Sequence, residues 1–274
     1  MTHQEKGKFD LHTHHDRCGH ARGNIRDYIE AAIDRGLQVI GVADHTPYFS
    51  YEEDQAFPKI AMAKSEFPRY VKEVQELKSE YEGKIEVLLG IEADFFPEQI
   101  ARYQPYFERY PFDYIIGSVH QVDGLSIFNK RRWKRLTDQQ KVQTKETYYK
   151  LIEQSARSGM YHILGHIDAM KGFYPEFSDI QTDVVEQTLK AIGENDVAIE
   201  INTSGKTKDV GGWYPSDDIL EKANHYGVKV TFGSDAHDPK RVGDEFDLVA
   251  KRLKDIGFKE WCFFRQKVRV IVPL

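Results

Sequence analysis

Short apolar runs rich in β-branched residues alternate along the chain with longer stretches in which apolar residues recur at helical spacing. The runs predict seven strands, at 9–12, 38–43, 85–91, 114–119, 162–164, 197–201 and 228–232. The stretches between them predict helices, for example at 24–36, 65–82, 182–194 and 216–226. Several predicted helices end in a glycine just before the next strand, as left-handed C-terminal caps do: Gly36, Gly83, Gly159 and Gly227.

The regular alternation of strand and helix predicts an α/β fold with parallel strands joined by right-handed crossovers. Seven such units favour a closed or nearly closed (β/α) barrel over a flat doubly wound sheet. A last apolar run, at 268–272, is expected to cap or close the barrel. No Pro/Gly/Ser-rich linker, low-complexity run or repeat interrupts the 274 residues, so we expect a single domain over 1–274.

The composition narrows the class of protein. Hydrophobic residues make up 40% and charged residues 30%, as in a globular protein with a large core. The net charge of -6 and the absence of a basic tail argue against a nucleic-acid partner. No apolar stretch approaches the roughly 18 residues of a membrane span, and residues 1–8 lack the apolar core of a secretion signal. Because two cysteines cannot form a disulfide framework either, we expect a cytoplasmic protein.

Side chains that can bind metals stand at the C-terminal ends of the predicted strands. His12 and His14 end the first run two residues apart, so both side chains point to the same face. The C-terminal ends of the strands are also the face where barrel enzymes carry their chemistry. Seven of the 11 histidines and two acids are expected to converge there: His12, His14, His20, His45, Glu92, His120, His166, Asp235 and His237.

Nine nitrogen and oxygen ligands are more than one tetrahedral zinc can use. The ring nitrogens of so many neutral imidazoles on one face need cations or an extensive network of hydrogen bonds as partners. The sequence therefore predicts two or three divalent metal ions that share a carboxylate, with Zn²⁺, Mn²⁺ or Fe²⁺ suited to the ligand types. His15 is expected to point away from His14, and His162 begins its strand at the far end, so we exclude both from the site.

The predicted ligands belong to short motifs that follow one another in a fixed order. They are Asp10-Leu11-His12-Thr13-His14, Ala43-Asp44-His45, Gly90-Ile91-Glu92, Gly117-Ser118-Val119-His120, Gly165-His166 and Gly233-Ser234-Asp235-Ala236-His237. This series, running from about residue 9 to residue 243, resembles the polymerase-and-histidinol-phosphatase (PHP) superfamily. The chain length, the segment rich in tyrosine and phenylalanine before His120, and Glu200-Ile201-Asn202-Thr203 resemble its histidinol-phosphate phosphatase branch. The resemblance implies a distorted (β/α)7 barrel with three metal sites.

The resemblance also implies how the ligands are divided and what the site does. The first metal site would use His12, His14, Glu92 and Asp235. The second would share Glu92 and add His120 and His166, and the third would use His20, His45 and His237. The implied reaction is hydrolysis of L-histidinol phosphate to L-histidinol and phosphate in histidine biosynthesis, in which a metal-bridging hydroxide attacks phosphorus.

Two further roles need residues outside the ligand set. The leaving alkoxide requires a proton, and Asp44 and Asp168 are the nearest acidic candidates. Orientation of His45 and His166 is the alternative role, which we favour for each acid. Lys171, three residues after Asp168, is the first candidate for a cation that binds phosphate. The further candidates are the basic cluster at 130–135 and the pair Lys206 and Lys208.

Two other functions stay open at this point. The same chemistry could act on another small phosphomonoester or on a nucleotide. A non-catalytic metal-binding domain is the other alternative, and loss of ligands would indicate it, whereas all nine positions hold a competent residue. The superfamily includes nuclease-like domains attached to DNA polymerases, but the acidic net charge argues against nucleic acid here. A small-molecule phosphomonoester is therefore the expected partner.

Overall fold

The computed structural model describes residues 7–274, in which strands and helices alternate as predicted. Residues 1–6, which form most of the polar segment behind the prediction of no secretion signal, lie outside the described residues. The strands are β1 (Phe9–Asp10), β2 (Val39–Val42), β3 (Glu86–Leu89), β4 (Glu92–Asp94), β5 (Ile116–Ser118), β6 (Gln121–Val122), β7 (Leu125–Ser126), β8 (Ile163–Leu164), β9 (Ala198–Asn202), β10 (Lys229–Gly233), β11 (Glu260–Arg265) and β12 (Val268–Pro273). The α-helices are α1 (Ile25–Asp34), α2 (Phe67–Glu80), α3 (Ile100–Arg109), α4 (Lys130–Trp133), α5 (Asp138–Arg157), α6 (Val184–Glu194), α7 (Asp217–His225) and α8 (Phe246–Ile256).

Two parallel sheets form the centre of the fold, in the orders β1-β2-β3 and β10-β9-β8-β5-β4. The predicted α/β fold with parallel strands is therefore confirmed. The third predicted strand ends at Leu89, and the chain pairs again only from Glu92, as β4 of the other sheet. Backbone hydrogen bonds also join the two sheets: Glu92 N donates to Asp44 O (3.1 Å), and Leu11 N donates to Phe232 O (3.1 Å).

The helix boundaries follow from local chemistry. Asn24 caps α1, because its side chain accepts from Asp27 N while the Asp27 carboxylate accepts from Asn24 N. The four glycines predicted to end helices all have a positive φ, which a residue without a Cβ adopts at little cost. No helix within residues 7–274 combines the length and the apolar character that a membrane span requires.

The C-terminal hairpin covers the ends of the strands away from the predicted site. The run at 268–272 pairs antiparallel with β11 and joins neither parallel sheet. Trp261 and Phe263 of β11 pack against Phe9, with ring centroids 4.9 and 5.6 Å apart. The hairpin to which the run belongs packs on the start of β1 through the aromatic side chains of β11, and the capping or closing of the barrel by the run itself stays a prediction.

His162, which precedes β8 at this same end, gives a pH dependence to folding. Its Nδ1 accepts a hydrogen bond from Ile115 N (3.2 Å), and its ring lies against Phe264. Burial, together with the nearby Lys267 and Arg269, lowers the pKa of His162 to about 4. Since the unfolded chain has a pKa of about 6.5 here, it binds a proton first as the pH falls. This contribution to stability is therefore complete above about pH 6.5 and is lost towards pH 4.

We expect acidification from pH 7 to pH 4 to lower the free energy of unfolding by about 2 kcal/mol more in the natural chain than in His162→Asn. The asparagine oxygen takes the place of Nδ1 and can still accept from Ile115 N, but it does not titrate. Denaturant unfolding of both proteins at a series of pH values measures the difference, in which the titration of all other groups cancels. Parallel pH profiles for the two proteins would contradict the expectation.

Candidate metal centre

The nine predicted ligands lie together at the C-terminal ends of the parallel strands. His12 and His14 follow β1, and Glu92 begins β4. The others follow strands β2, β5, β8 and β10 or, in the case of His20, lie in the loop before α1: His45, His120, His166, Asp235 and His237. The convergence follows from the fold, because parallel strands end at one edge and bring their following residues together.

The buried carboxylate of Glu92 lies at the centre of the cluster. Ser118 Oγ donates to its Oε1 (2.6 Å). Ring nitrogens of five histidines surround the two carboxylate oxygens: His45 Nδ1 (2.9 Å), His12 Nε2 (3.3 Å) and His14 Nε2 (3.5 Å) at Oε2, and His166 Nε2 (3.2 Å) and His120 Nε2 (3.5 Å) at Oε1. Glu92 is thus placed to be shared between neighbouring cations.

Asp235 extends the cluster on its other side. Its Oδ1 lies 3.1 Å from His14 Nε2, and His237 Nε2 lies 2.9 Å from His20 Nε2. Among the described residues, three groups drawn from the nine have ligand atoms within 4.8 Å of one another: His12 with His14 and Asp235, His14 with His45 and His237, and His45 with Glu92 and His120. A fourth such group joins His14 with Cys18 and Asp44, which are not among the nine. The groups overlap in His14 and His45, so they do not divide into the three sets that the resemblance implies. Their role as ligands stays a prediction.

Most of the imidazoles are held by an acceptor at Nδ1. The partners are Glu200 for His12 (2.8 Å), Asp44 for His14 (3.1 Å), Asp94 for His120, and the carbonyl oxygens of Cys18 for His20 (3.3 Å) and of Asp235 for His237 (3.0 Å). Because carboxylate and carbonyl oxygens only accept, each Nδ1 carries the proton. The Nε2 lone pairs therefore face the middle of the cluster, as in metal sites where a carboxylate orients the ligand histidine.

The inward-facing atoms fit divalent cations. His12 Nε2, His14 Nε2 and Glu92 Oε2 are buried and make no hydrogen bond with any described residue. Burial alone would lower the pKa of His14, but its contacts with Asp235 and Asp44 raise it to about 9. Burial would likewise raise the pKa of Glu92, but His45 and His12 hold it well below its usual range. This electrostatic environment favours positive charge at the centre, which a cation can supply in place of protons.

A cavity of about 660 Å³ opens above the cluster. Seven of the nine predicted ligands line it, and His12 and His14 lie beneath its floor. Aromatic side chains form part of its wall, and four cationic residues line it: Arg22, Lys59, Lys208 and Arg241. A larger cleft, of about 1070 Å³, lies at the opposite end of β3 and contains none of the nine residues. The metal-competent residues and the substrate-sized space thus coincide in the smaller cavity.

The structure gives Asp44 a different contact from the one expected. Orientation of the His45 ring is the role expected of Asp44. Its Oδ1 instead lies 3.1 Å from Nδ1 of the His14 ring, and it accepts from the backbone nitrogen of His45 (2.9 Å). Its second oxygen lies 3.2 Å from Nδ1 of His15, whose ring stacks on Tyr70 away from the cluster. Burial would raise the pKa of Asp44, but His15 and His14 lower it, so the group stays ionised. The Asp44 carboxylate is buried and does not line the cavity, and its role, as general acid or in orienting a histidine, stays a prediction.

Asp168 and Lys171 pair with each other instead of serving the site. Lys171 Nζ lies 2.7 Å from Asp168 Oδ2, and that carboxylate also accepts from Ser216 N (2.9 Å). Both side chains are buried, and neither lines the cavity. The reason is local, because a 3-10 turn over Ala169–Gly172 brings residues three apart together. Asp168 therefore does not contact the His166 ring, and Lys171 does not face the space where phosphate would bind.

Several residues that hold the cluster were missed in the sequence. Asp94 contacts His120 and accepts from the Tyr48 hydroxyl, and Glu200 contacts His12. Asn202 and Ser204 donate to Asp235 Oδ2, at 3.2 and 3.0 Å. One signal was present, since Glu92 and Asp94, like Glu200 and Asn202, repeat the two-residue spacing of His12 and His14. On a strand, that spacing puts both side chains on one face.

Comparison with known proteins gives the family. The family model described as PHP domain matches residues 10–204, well over half of the chain. The chain belongs to the PHP domain family. This PHP chain is 31% identical, over 96% of its length and 99% of the relative's, to a probable histidinol-phosphatase of Deinococcus radiodurans. It is 30% identical to a histidinol-phosphatase of Bacillus subtilis, over 89% of this PHP chain and 99% of that protein.

Solved structures agree with the fold of this PHP chain. The histidinol phosphate phosphatase of Lactococcus lactis, whose crystal structure is described as complexed with zinc, L-histidinol and phosphate, superposes with a TM-score of 0.79. That match covers 97% of this PHP chain and 99% of the other chain, at 21% identity. At this identity the comparison carries the fold alone. The match of the family model confirms the family predicted from the ordered motifs.

Proposed function

We propose that this chain is a metal-dependent phosphomonoesterase that hydrolyses L-histidinol phosphate to L-histidinol and phosphate. The observation that carries the proposal is the set of inward-facing His lone pairs around Glu92, beneath a cavity of about 660 Å³. The relatives from Deinococcus radiodurans and Bacillus subtilis carry the name histidinol-phosphatase, and the structure from Lactococcus lactis holds zinc, L-histidinol and phosphate. The other candidate keeps this chemistry and changes the substrate to another small phosphomonoester or a nucleotide.

The proposal includes the metal set and the closure of the fold. Two or three divalent ions of zinc, manganese or iron would be held by His12, His14, His20, His45, Glu92, His120, His166, Asp235 and His237. The hydrogen bonds of Glu92 with Asp44 and of Leu11 with Phe232 support one closed (β/α)7 barrel, in a single domain over 1–274. We also propose that the substrate is a small soluble molecule and that neither a nucleic acid nor a membrane is a partner. The proposed location is the cytoplasm.

The chain's own residues would orient and neutralise the substrate. Divalent cations bound in the cluster would lower the pKa of water and offset the charge of the phosphoryl oxygens. The Nδ1 contacts keep the imidazoles from rotating, so the centre is organised before substrate arrives. Lys208, which lines the cavity with its Nζ 5.9 Å from the centre of the Phe173 ring, is placed to meet a phosphate oxygen.

An aromatic wall supports a substrate that carries a flat ring. Phe128 remains 39% exposed and lines the cavity beside the cluster. Its ring lies 5.7 Å from the His120 ring and 5.8 Å from that of Phe173. Aromatic faces of this kind pack well against another aromatic ring such as imidazole. The wall and the metal cluster border the same cavity, which supports a substrate with a ring at one end and a phosphate at the other.

The test is a phosphate-release screen over L-histidinol phosphate and a panel of other phosphomonoesters and nucleotides, with metal analysis of the same sample. We expect a clear preference for L-histidinol phosphate, measured as kcat/KM. Equal rates over the panel would overturn the substrate and leave the chemistry. Absence of hydrolysis with a full metal complement would favour a non-catalytic metal-binding domain.

The cation that meets phosphate can be identified with two matched variants. Lys208→Met should raise KM for the phosphomonoester by about tenfold, the effect of one charge-assisted hydrogen bond. Lys171→Met should change KM by less than about threefold but lower the free energy of unfolding by about 3 kcal/mol, because Asp168 stays buried without its partner. Steady-state kinetics and denaturant unfolding measure both effects. A tenfold rise in KM for Lys171→Met would return that residue to the substrate site.

A further inference from the structure

We propose that Glu200 is a positioning residue that decides which ring nitrogen of His12 faces the metal centre and that fixes the backbone of His166. The inference rests on the metal site of the proposed function. Glu200 lies in the middle of β9, with its side chain buried, and it is not one of the nine predicted ligands. It touches neither the cavity nor Glu92, so it can act only through the residues that it holds.

The contacts of Glu200 are all with hydrogen-bond donors. Its Oε2 lies 2.8 Å from His12 Nδ1. Its Oε1 accepts from the backbone nitrogen of His166 (2.9 Å) and from Asn202 Nδ2 (2.7 Å). An ionised carboxylate is the one side chain of this size that accepts at both ends and donates at neither. A charged acceptor is therefore matched to three donors that come from three strand ends.

The first consequence concerns the tautomer of His12. Because Oε2 can only accept, the proton of the neutral ring lies on Nδ1, and the lone pair lies on Nε2. That Nε2 is buried, makes no hydrogen bond, and lies 3.3 Å from Glu92 Oε2. Glu200 thus leaves the free nitrogen of His12 directed at the centre of the cluster.

The second consequence concerns the backbone of His166. This residue has a φ of 24°, a conformation that residues with a Cβ rarely adopt. The hydrogen bond from its backbone nitrogen to Glu200 holds it there, while its Nε2 lies 3.2 Å from Glu92 Oε1. One side chain on β9 therefore holds two histidines, from the ends of β1 and β8, whose Nε2 atoms face the two oxygens of Glu92.

The glycine that begins the last motif makes room for this arrangement. A Cβ added at Gly233 would lie 2.5 Å from Glu200 Oε2 and 2.7 Å from the Cβ of His12. Both distances are too short for any side chain, so only glycine lets the carboxylate reach the ring. The close approach of Glu200 and His12 to the backbone therefore explains why the motif has a glycine at position 233, and no turn is needed to explain it.

Replacement by glutamine should disturb this site specifically. If the amide oxygen of Gln faces His166 and Asn202, its NH₂ group faces His12 Nδ1, and the ring must move its proton to Nε2. If the amide is reversed, its NH₂ group faces two donors. The first orientation keeps the hydrogen bonds but leaves no free lone pair on the nitrogen that faces the cluster, and the second loses the hydrogen bonds from His166 and Asn202.

The experiment compares metal-stripped natural protein, Glu200→Gln and Asp113→Asn. Asp113 is a matched control, because it is a buried carboxylate that accepts from Leu89 N and Gln266 N (both 2.9 Å) at the other end of the fold. Zinc affinity is measured against a chromophoric chelator, and the ligand field is measured from the visible spectrum of the cobalt(II) form. We expect Glu200→Gln to weaken zinc binding by about 10–100-fold and to change the spectrum. Asp113→Asn should lower thermal stability and leave both metal readouts unchanged.

Nitrogen NMR of the zinc-loaded natural protein tests the inference even if Glu200→Gln fails to fold. We expect His12 to show a protonated Nδ1 and a metal-bound Nε2. The opposite assignment, or natural zinc affinity and spectrum in Glu200→Gln, would overturn the role of Glu200 and leave the proposed function in place. Failure of the natural protein to bind zinc would overturn both.

Discussion

Glu92→Gln is expected to slow phosphate release from L-histidinol phosphate by at least about 10³-fold, as for loss of a preorganised charge at the reacting centre. Five histidines direct ring nitrogens at the two oxygens of Glu92. The amide keeps the size of the side chain but removes its charge and turns one acceptor into a donor. A neutral group cannot join neighbouring cations, so the loss should appear in kcat and in the number of metals bound.

Measurement of kcat at saturating metal, with metal analysis of the same sample, tests this expectation. Glu86→Gln is the matched control, because Glu86 lies on β3, in the other parallel sheet, and pairs with Arg265 far from the cluster. The control should keep its activity and its metal content. A Glu92→Gln protein with more than a tenth of natural activity and all of its metal would contradict the central role of Glu92.

Removal of metal by a chelator is expected to abolish activity and to lower the melting temperature by about 5–10 °C at metal concentrations near 100 times Kd. Ligands that bind only the folded chain stabilise it by mass action. In addition, His12 Nε2, His14 Nε2 and Glu92 Oε2 lie buried without hydrogen bonds in the described part of the chain. Buried polar atoms without partners destabilise the fold, so the stripped protein should melt early.

Thermal unfolding with and without chelator, followed by restoration with zinc or manganese, measures this effect. Both activity and melting temperature should return when metal is added. Glu92→Gln should respond much less to the chelator, because it has less metal to lose. An unchanged melting temperature for the natural protein after complete removal of metal would contradict the expectation.

The architecture could be predicted because its signals are local. Alternating β-rich runs and amphipathic stretches predicted seven of the eight strands of the two parallel sheets, all but β4, and the glycine that follows α1 was readable in the sequence. The break between β3 and β4 was not, since Gly90 and Ile91 continue the apolar run. The break depends on pairing with two different sheets, which a periodic pattern does not record.

Among the site residues, too, positions at strand ends could be predicted, whereas contacts between side chains of different strands could not. The nine candidate ligands could be brought together because each follows a strand, and parallel strands end at one edge. Glu200 was noted only as part of a motif and Asp94 not at all, because each contacts a histidine of another strand. Lys171 was chosen from its distance in sequence to the motif at His166, but a contact three residues away pairs it with Asp168. The salt bridge to Asp168 within the 3-10 turn therefore holds the Lys171 side chain away from the cavity.

The position of Glu92 between two groups of imidazoles has a thermodynamic consequence. A cation bound at one of its oxygens draws the carboxylate and changes what the other oxygen offers to a second cation. The affinities are therefore linked, and by reciprocity each ion alters the affinity of its neighbour by the same factor. Two cations that shared one carboxylate would also repel each other, so the second should bind more weakly than the first, and partial metal supply should populate a half-loaded protein.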